Sequence, residues 1–156
     1  MADEVIEWYF GFWKRPRLWQ FCKKPTWTIF GHVEAWGFTA DNTWVFYDPQ
    51  RIGTQVKVTH HAEEVENLLA LRFAVCKSVL RLPHPGTRLS APFHPTMNCV
   101  SQCAGLVGIR AYCPGTFRRK LLRNGAKELI DGRRAEREQG VEAHPQDGAP
   151  SGQEGA

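Results

Sequence analysis

Two cysteines one helical turn apart mark the stretch Asn98-Cys99-Val100-Ser101-Gln102-Cys103-Ala104-Gly105-Leu106-Val107-Gly108-Ile109. Cys99, Cys103, Leu106 and Val107 recur with the period of an apolar helix face, and Ser101, Gly105 and Gly108 line the other side. Asn98 is a good N-cap, because its side-chain oxygen accepts from an N–H of the first turn that has no intrahelical partner. Cys99 then falls at the first helical position, where those N–H groups and the positive end of the helix dipole favour the thiolate. A thiolate is the nucleophilic form of cysteine. The chemistry indicated is attack on a carbonyl carbon, and it requires a base.

His32 is the candidate base. It sits mid-strand directly after Gly31, on a face shared with Phe30, Glu34 and Trp36. An imidazole in this role needs a third polar group to orient it. Asp48 supplies one if the turn between the first two strands of this pattern has an odd number of residues, because side chains alternate along a strand. A three-residue loop sets His32 opposite Asp48 and Trp36 opposite Trp44. A five-residue loop makes Gln50 the substitute, and a four-residue loop turns Asp48 to the other face. Asp41 or Asn42 suits the left-handed position that an odd loop wants.

The structural reading stands beside this one. Free cysteine usually behaves as a small buried hydrophobe, and Asp before a proline is common strand-ending chemistry. On that reading the chain is a non-enzymatic structural or accessory protein, such as one of a phage, with Cys99 in its core. A zinc site built from Cys99, Cys103, Cys113 and His94 is the rival chemistry. The spacings oppose it, since no C-x-x-C pair occurs. Neither metal nor cofactor is expected.

The elements that must position these residues follow from periodicity. Residues 26–38 alternate as a strand interrupted by Gly31 and Gly37, Thr39–Asn42 is a turn, and residues 43–48 form a second strand that Pro49 ends. A third strand covers 55–59, a helix 62–71 carries Val65, Leu68 and Leu69, and a further strand covers 73–82. Residues 83–96 hold four prolines and read as a loop. After the Cys99 helix, Pro114 opens a helix that Gly125 stops. The expected fold is α+β, an antiparallel sheet packed against the cysteine-bearing helix. It occupies residues 26–130, between an aromatic N-terminal segment (1–25), whose local structure the pattern leaves open, and a polar tail (131–156) too poor in large apolar residues to order.

The chain has 156 residues, a formal charge of +4 and five cysteines. Its charges are mixed in sign, and Arg118-Arg119-Lys120 with Arg123 reads as a solvated helix face, so no nucleic-acid partner is expected. No apolar run approaches the ~20 residues of a membrane span. The first residues, Met1-Ala2-Asp3-Glu4, lack a signal-peptide pattern. The odd cysteine count is not that of a secreted disulfide framework, so the expected setting is a reducing cytoplasm.

The order of these pieces, Phe30-Gly31-His32-Val33, then Val45-Phe46-Tyr47-Asp48, then Asn98-Cys99-Val100-Ser101-Gln102-Cys103, resembles the circularly permuted papain-like branch of the NlpC/P60 superfamily. That branch includes the lecithin:retinol acyltransferase-like proteins and bacterial and phage members. The likeness covers about residues 26–125, including the short helix after the cysteine helix. The gap between His32 and Asp48 is longer than the branch's usual one, and the acyltransferases' extra histidine is not evident. The resemblance implies a permuted papain-like fold and a thiol hydrolase or acyl transferase with Cys99 as nucleophile, His32 as base and Asp48 as orienting residue. Its substrate would be a peptide, a peptidoglycan crosslink or an acyl ester.

Overall fold

The computed structural model describes residues 5–14, 30–83 and 98–131. These form strands β1 (Val5–Lys14), β2 (Phe30–Thr39), β3 (Trp44–Gln50) and β4 (Gly53–Thr59), helix α1 (Ala62–Val75), strand β5 (Cys76–Pro83), helices α2 (Cys99–Gly105) and α3 (Pro114–Arg123), and strand β6 (Lys127–Asp131). The fold is α+β. One six-stranded sheet has the order β4-β3-β2-β1-β5-β6, and every neighbouring pair is antiparallel. The loop 84–96 with His84 and His94, residues 26–29, Cys22 and the tail beyond Asp131 lie outside the described residues.

The first correction concerns the N-terminal segment. The sequence reading set residues 1–25 apart from the domain, yet β1 lies in the middle of the sheet, paired with β2 on one side and β5 on the other. Its aromatics divide between both faces. Trp8, Phe10 and Phe12 enter the larger core with Val33, Ala35, Leu80 and Leu82, under α2 and α3, while Tyr9 and Trp13 join Trp36, Phe46, Cys76 and Val79 under α1. A strand buried on both faces shows no polar–apolar alternation, which is why the pattern of β1 was ambiguous.

Other boundaries moved for local reasons. Helix α1 continues to Val75, because Phe73 extends the Leu68 and Leu69 stripe against the second core and Arg72 reaches both Leu68 O and the Glu34 carboxylate. Strand β5 therefore begins at Cys76 rather than Phe73. Pro49 does not end β3, which runs on to Gln50. Strand β6 was not foreseen; it adds five residues at the β5 edge, close to the foot of α3, where Arg118 grips the Glu128 carboxylate with two 2.6 Å bonds. Helix α2 is shorter than the pattern suggested. Gly108, at φ 66°, closes it with Gly108 N–H on Gly105 O and Ile109 N–H on Ala104 O, a glycine-terminated Schellman end. Gly125, at φ 87°, ends α3 in the same way, as expected.

Aromatic packing fixes the helices on the sheet. Phe117 of α3 meets Phe10 edge-on at 5.1 Å between centroids and Phe12 at 6.0 Å. Each fully buried ring of this kind contributes roughly 1.5–3 kcal/mol by area alone. On the opposite face Gly11 leaves room for its neighbours: a Cβ there would stand 2.5 Å from Cys76 Sγ and 2.7 Å from the Trp36 ring. Gly11→Ala is expected to lower stability by about 1–3 kcal/mol through overpacking. Gly53→Ala, whose Cβ would meet nothing within 4 Å, is expected to stay within about 0.5 kcal/mol of the parent. Urea titration of the two variants distinguishes them, and equal stabilities would contradict the packing described for Gly11.

Candidate active site

The β2–β3 hairpin decides where His32 and Asp48 meet. Its turn is closed by Thr39 N–H on Thr43 O and Asn42 N–H on Thr39 O, with Asn42 in the left-handed region at φ 62°. Asp41 ties the turn further by accepting from Thr43 N–H and from the hydroxyls of Thr39 and Thr43. The register runs from Phe38 opposite Trp44 to Ala35 opposite Tyr47, and there the ladder stops. Trp36 lies opposite Phe46, not Trp44, a correction to the three-residue-loop register. Carried past Ala35, the register sets Val33 opposite Pro49 and His32 opposite Gln50. Asp48 nevertheless shares a face with His32 and reaches it diagonally, with Nε2 2.7 Å from Oδ1. Gln50 does not replace Asp48. It donates from Nε2 to Asp48 Oδ2 at 2.7 Å and so holds the other carboxylate oxygen.

The missing rungs of the ladder are used by α2. Pro49 has no N–H to offer β2, so Val33 has backbone groups without a partner on β3. Cys103 Sγ lies 3.6 Å from Val33 O, and Cys99 accepts a backbone hydrogen bond from Val33. Strand alternation assigns His32 to the α1 face with Glu34 and Trp36, whereas α2 packs on the other face against β2 and β3. Cys99 and His32 nonetheless act on each other across the seam where the strands have parted, each favouring the other's charged form.

Helix α2 is anchored beside this seam by its own sequence. Asn98 accepts from Ser101 N–H at 2.8 Å, and Asn98 N–H donates to Ser101 Oγ at 2.9 Å, a reciprocal capping box. Ser101 is therefore buried, although the sequence pattern placed it on the outer side. Gln102 Oε1 accepts from Tyr47 OH and from Thr54 Oγ1, both at 2.9 Å, which ties α2 to β3 and β4. Cys103 is fully buried, and burial pushes its thiol well up. Cys99 is only half-buried. The two cysteines thus differ sharply: Cys103 is core, and Cys99 faces His32.

Electrostatics follow from the contacts. Burial alone would raise the Cys99 thiol, but the His32 hydrogen bond, backbone bonds from Val33 and Val100 and the His32 charge together bring it below the ordinary value. Burial alone would lower His32, yet the hydrogen bonds and charges of Cys99 and Asp48 raise it to about 9. The two groups titrate as a coupled pair. Each direction favours the charged form of its group, a thiolate beside an imidazolium.

Of the other sequence-marked residues, Cys113 stands at the N-cap position of α3 without a side-chain cap bond, its Sγ donating to Thr116 Oγ1 at 3.0 Å, and Cys76 lies under Glu34 on the opposite face from α2. Among the described residues no group of three or more His, Cys, Asp or Glu side chains is placed to hold a metal ion. His60 and His61 meet at a tilt of 33° before α1, 4.4 Å between ring centroids. An open groove between β4 and α1, lined by Lys57, Glu64, Leu68 and Leu71, contains none of Cys99, His32 and Asp48. Within the basic run, Arg118 pairs with Glu128 and Lys120 Nζ bonds Arg110 O. No described helix is long and apolar enough to cross a membrane. Comparison with family models, curated proteins and solved structures finds no match to this chain.

Iodoacetamide at about pH 6 is expected to modify native Cys99 roughly tenfold or more faster than Cys76 or Cys103, whose thiols burial pushes up. His32→Ala removes the counter-charge, so the Cys99 titration should move to higher pH and this selectivity should collapse. Peptide mapping by mass spectrometry reads both effects. A Cys99 that labels only on unfolding would show a core thiol.

Proposed function

We propose that this domain is a cysteine-dependent hydrolase or acyl transferase acting on an amide or ester, of the circularly permuted papain-like type. The observation that supports it is that Cys99 and His32 each favour the other's charged form while His32 Nε2 lies 2.7 Å from Asp48 Oδ1, whose other oxygen Gln50 holds. A thiol nucleophile, an imidazole and an orienting carboxylate brought together are what acyl transfer through a thioester requires.

In this reading the Cys99 sulfur bonds to the substrate carbonyl carbon, and the carbonyl π pair moves to oxygen. The developing oxyanion meets the Cys99 backbone N–H, which at the first helical position has no intrahelical acceptor. Collapse expels the amine or alcohol, which takes its proton from the His32 imidazolium and leaves a thioester on Cys99. Neutral His32 then removes a proton from water or an acceptor nucleophile as it attacks the thioester, and Cys99 leaves as thiolate. Asp48, on Nε2, leaves Nδ1 as the ring nitrogen for both transfers and stabilises the charged ring. Helix α2 has only seven residues, so its dipole is a minor aid beside His32. Peptides, peptidoglycan crosslinks and acyl esters are the substrate classes this chemistry suits.

An activated aryl ester tests the reading. The wild type is expected to release the phenol and to carry the acyl group on Cys99, seen as a mass increment. Cys99→Ser should abolish turnover, since a serine hydroxyl is not ionised near neutral pH, and Asp48→Ala should slow it on the order of 10²-fold. The rate should rise as pH passes upward through the lowered Cys99 value. It should fall again above about 9, where His32 loses its proton. Acylation spread over several residues, or turnover surviving in Cys99→Ser, would contradict it.

A further inference from the structure

Trp13 stands at the one point where β1 is irregular on both sides. Its pairing with β5 shifts between Phe12 and Trp13, and its pairing with β2 shifts between Trp13 and Lys14. Such bulges re-aim a side chain at the expense of ladder regularity. The indole is aimed at two groups. It meets the His32 ring nearly perpendicularly, at 80° and 5.7 Å between centroids, and it donates from Nε1 to Glu34 Oε1 at 3.0 Å.

Glu34 is a buried carboxylate, 2% exposed, which the reaction above does not use. Its other oxygen lies 3.2 Å from Arg72 Nε of α1, and the Arg72 guanidinium sits over the Phe46 ring at 4.6 Å. A carboxylate held this firmly gives the indole N–H one fixed acceptor. The imidazole, by contrast, must keep a single orientation to meet Cys99 and Asp48 together, and rotation about its side-chain bonds would break both contacts.

Resting on the Cys99–His32–Asp48 reading, we propose that Trp13 is a positioning residue for His32: its indole, pinned by the Glu34 carboxylate, walls the imidazole into the orientation that meets both partners. The charged and titratable groups facing His32 among the described residues are Cys99 of α2, Asp48 of β3 and Glu34 of β2, the last neutralised by Arg72 of α1. Trp13 adds no charge, so its effect is on geometry alone. Removing the indole N–H frees the ring to turn, weakens its bond to Cys99 and makes the thiol harder to ionise.

The test is the pH dependence of Cys99 alkylation by iodoacetamide, with melting temperature recorded in parallel. Trp13→Phe and Glu34→Leu are expected to move the midpoint of the alkylation curve up by about one pH unit and to slow Cys99 labelling near pH 6 by about tenfold. Glu34→Gln, which keeps an acceptor for the indole, should stay close to wild type. Variants that lose melting temperature while the midpoint stays unchanged would reduce Trp13 to packing and overturn the proposal. Should the variants fail to fold, the wild type supplies the answer through the ¹⁵N–¹H resonance of the Trp13 indole. It is expected to shift across the titration of His32, and a pH-independent resonance would overturn the proposal. A wild-type Cys99 inert near pH 6 would instead sink the functional reading, whereas a reactive Cys99 unaffected by Trp13→Phe would sink the Trp13 role alone.

Discussion

The structure depends on where the β2–β3 ladder ends. An antiparallel pair normally satisfies every facing backbone group, and an unpaired one costs on the order of 1–3 kcal/mol if buried. Here pairing stops at Ala35 and Tyr47, because the next rung would need a donor from Pro49. The backbone of Val33 then turns to sulfur: its carbonyl lies against Cys103, and it donates to Cys99. A strand defect is thereby converted into an anchor for the cysteine helix. The same parting of the strands lets an imidazole from one face of the sheet meet a thiol from the other.

Each neighbouring contact stiffens this seam. The Asn98–Ser101 capping box fixes the start of α2, and Gln102 takes hydroxyls from Tyr47 and Thr54 on two further strands. Gln50 and His32 share the two oxygens of Asp48. Beneath them the Glu34–Arg72 pair docks α1. A buried ion pair of this kind contributes little net stability but is costly to break. These contacts place Cys99 and Cys103, one turn apart, in opposite environments, one beside a cation and one in apolar core.

Much of the site was legible in sequence because its determinants are local. Asn98 before Cys99 announces the cap and alternation announces the strand with His32, whereas the loop parity that puts Asp48 on the right face was one of the alternatives the sequence left open. The register itself was not legible. Whether Asp48 faces His32 directly or diagonally depends on where Asn42 adopts the left-handed conformation, and Asp41 and Asn42 both suit that role. The central position of β1 was hidden for a different reason. Its residues are apolar on both faces, so it carried no period, and the bulges at Trp13 have no sequence signature that periodicity can detect. Gln50 was visible as a polar neighbour, but its service to Asp48 rather than to His32 is a consequence of tertiary geometry.

The central claim is that Cys99 and His32 form an ion pair held by Asp48. Selective ¹⁵N labelling of histidine reads it most directly, since the two ring nitrogens of an imidazolium and of a neutral tautomer resonate differently. Near neutral pH the His32 ring should be doubly protonated in the native protein, and Cys99→Ala should convert it largely to a neutral tautomer by removing the thiolate. A neutral His32 ring in the unmodified protein at that pH, unchanged by Cys99→Ala, would contradict the account.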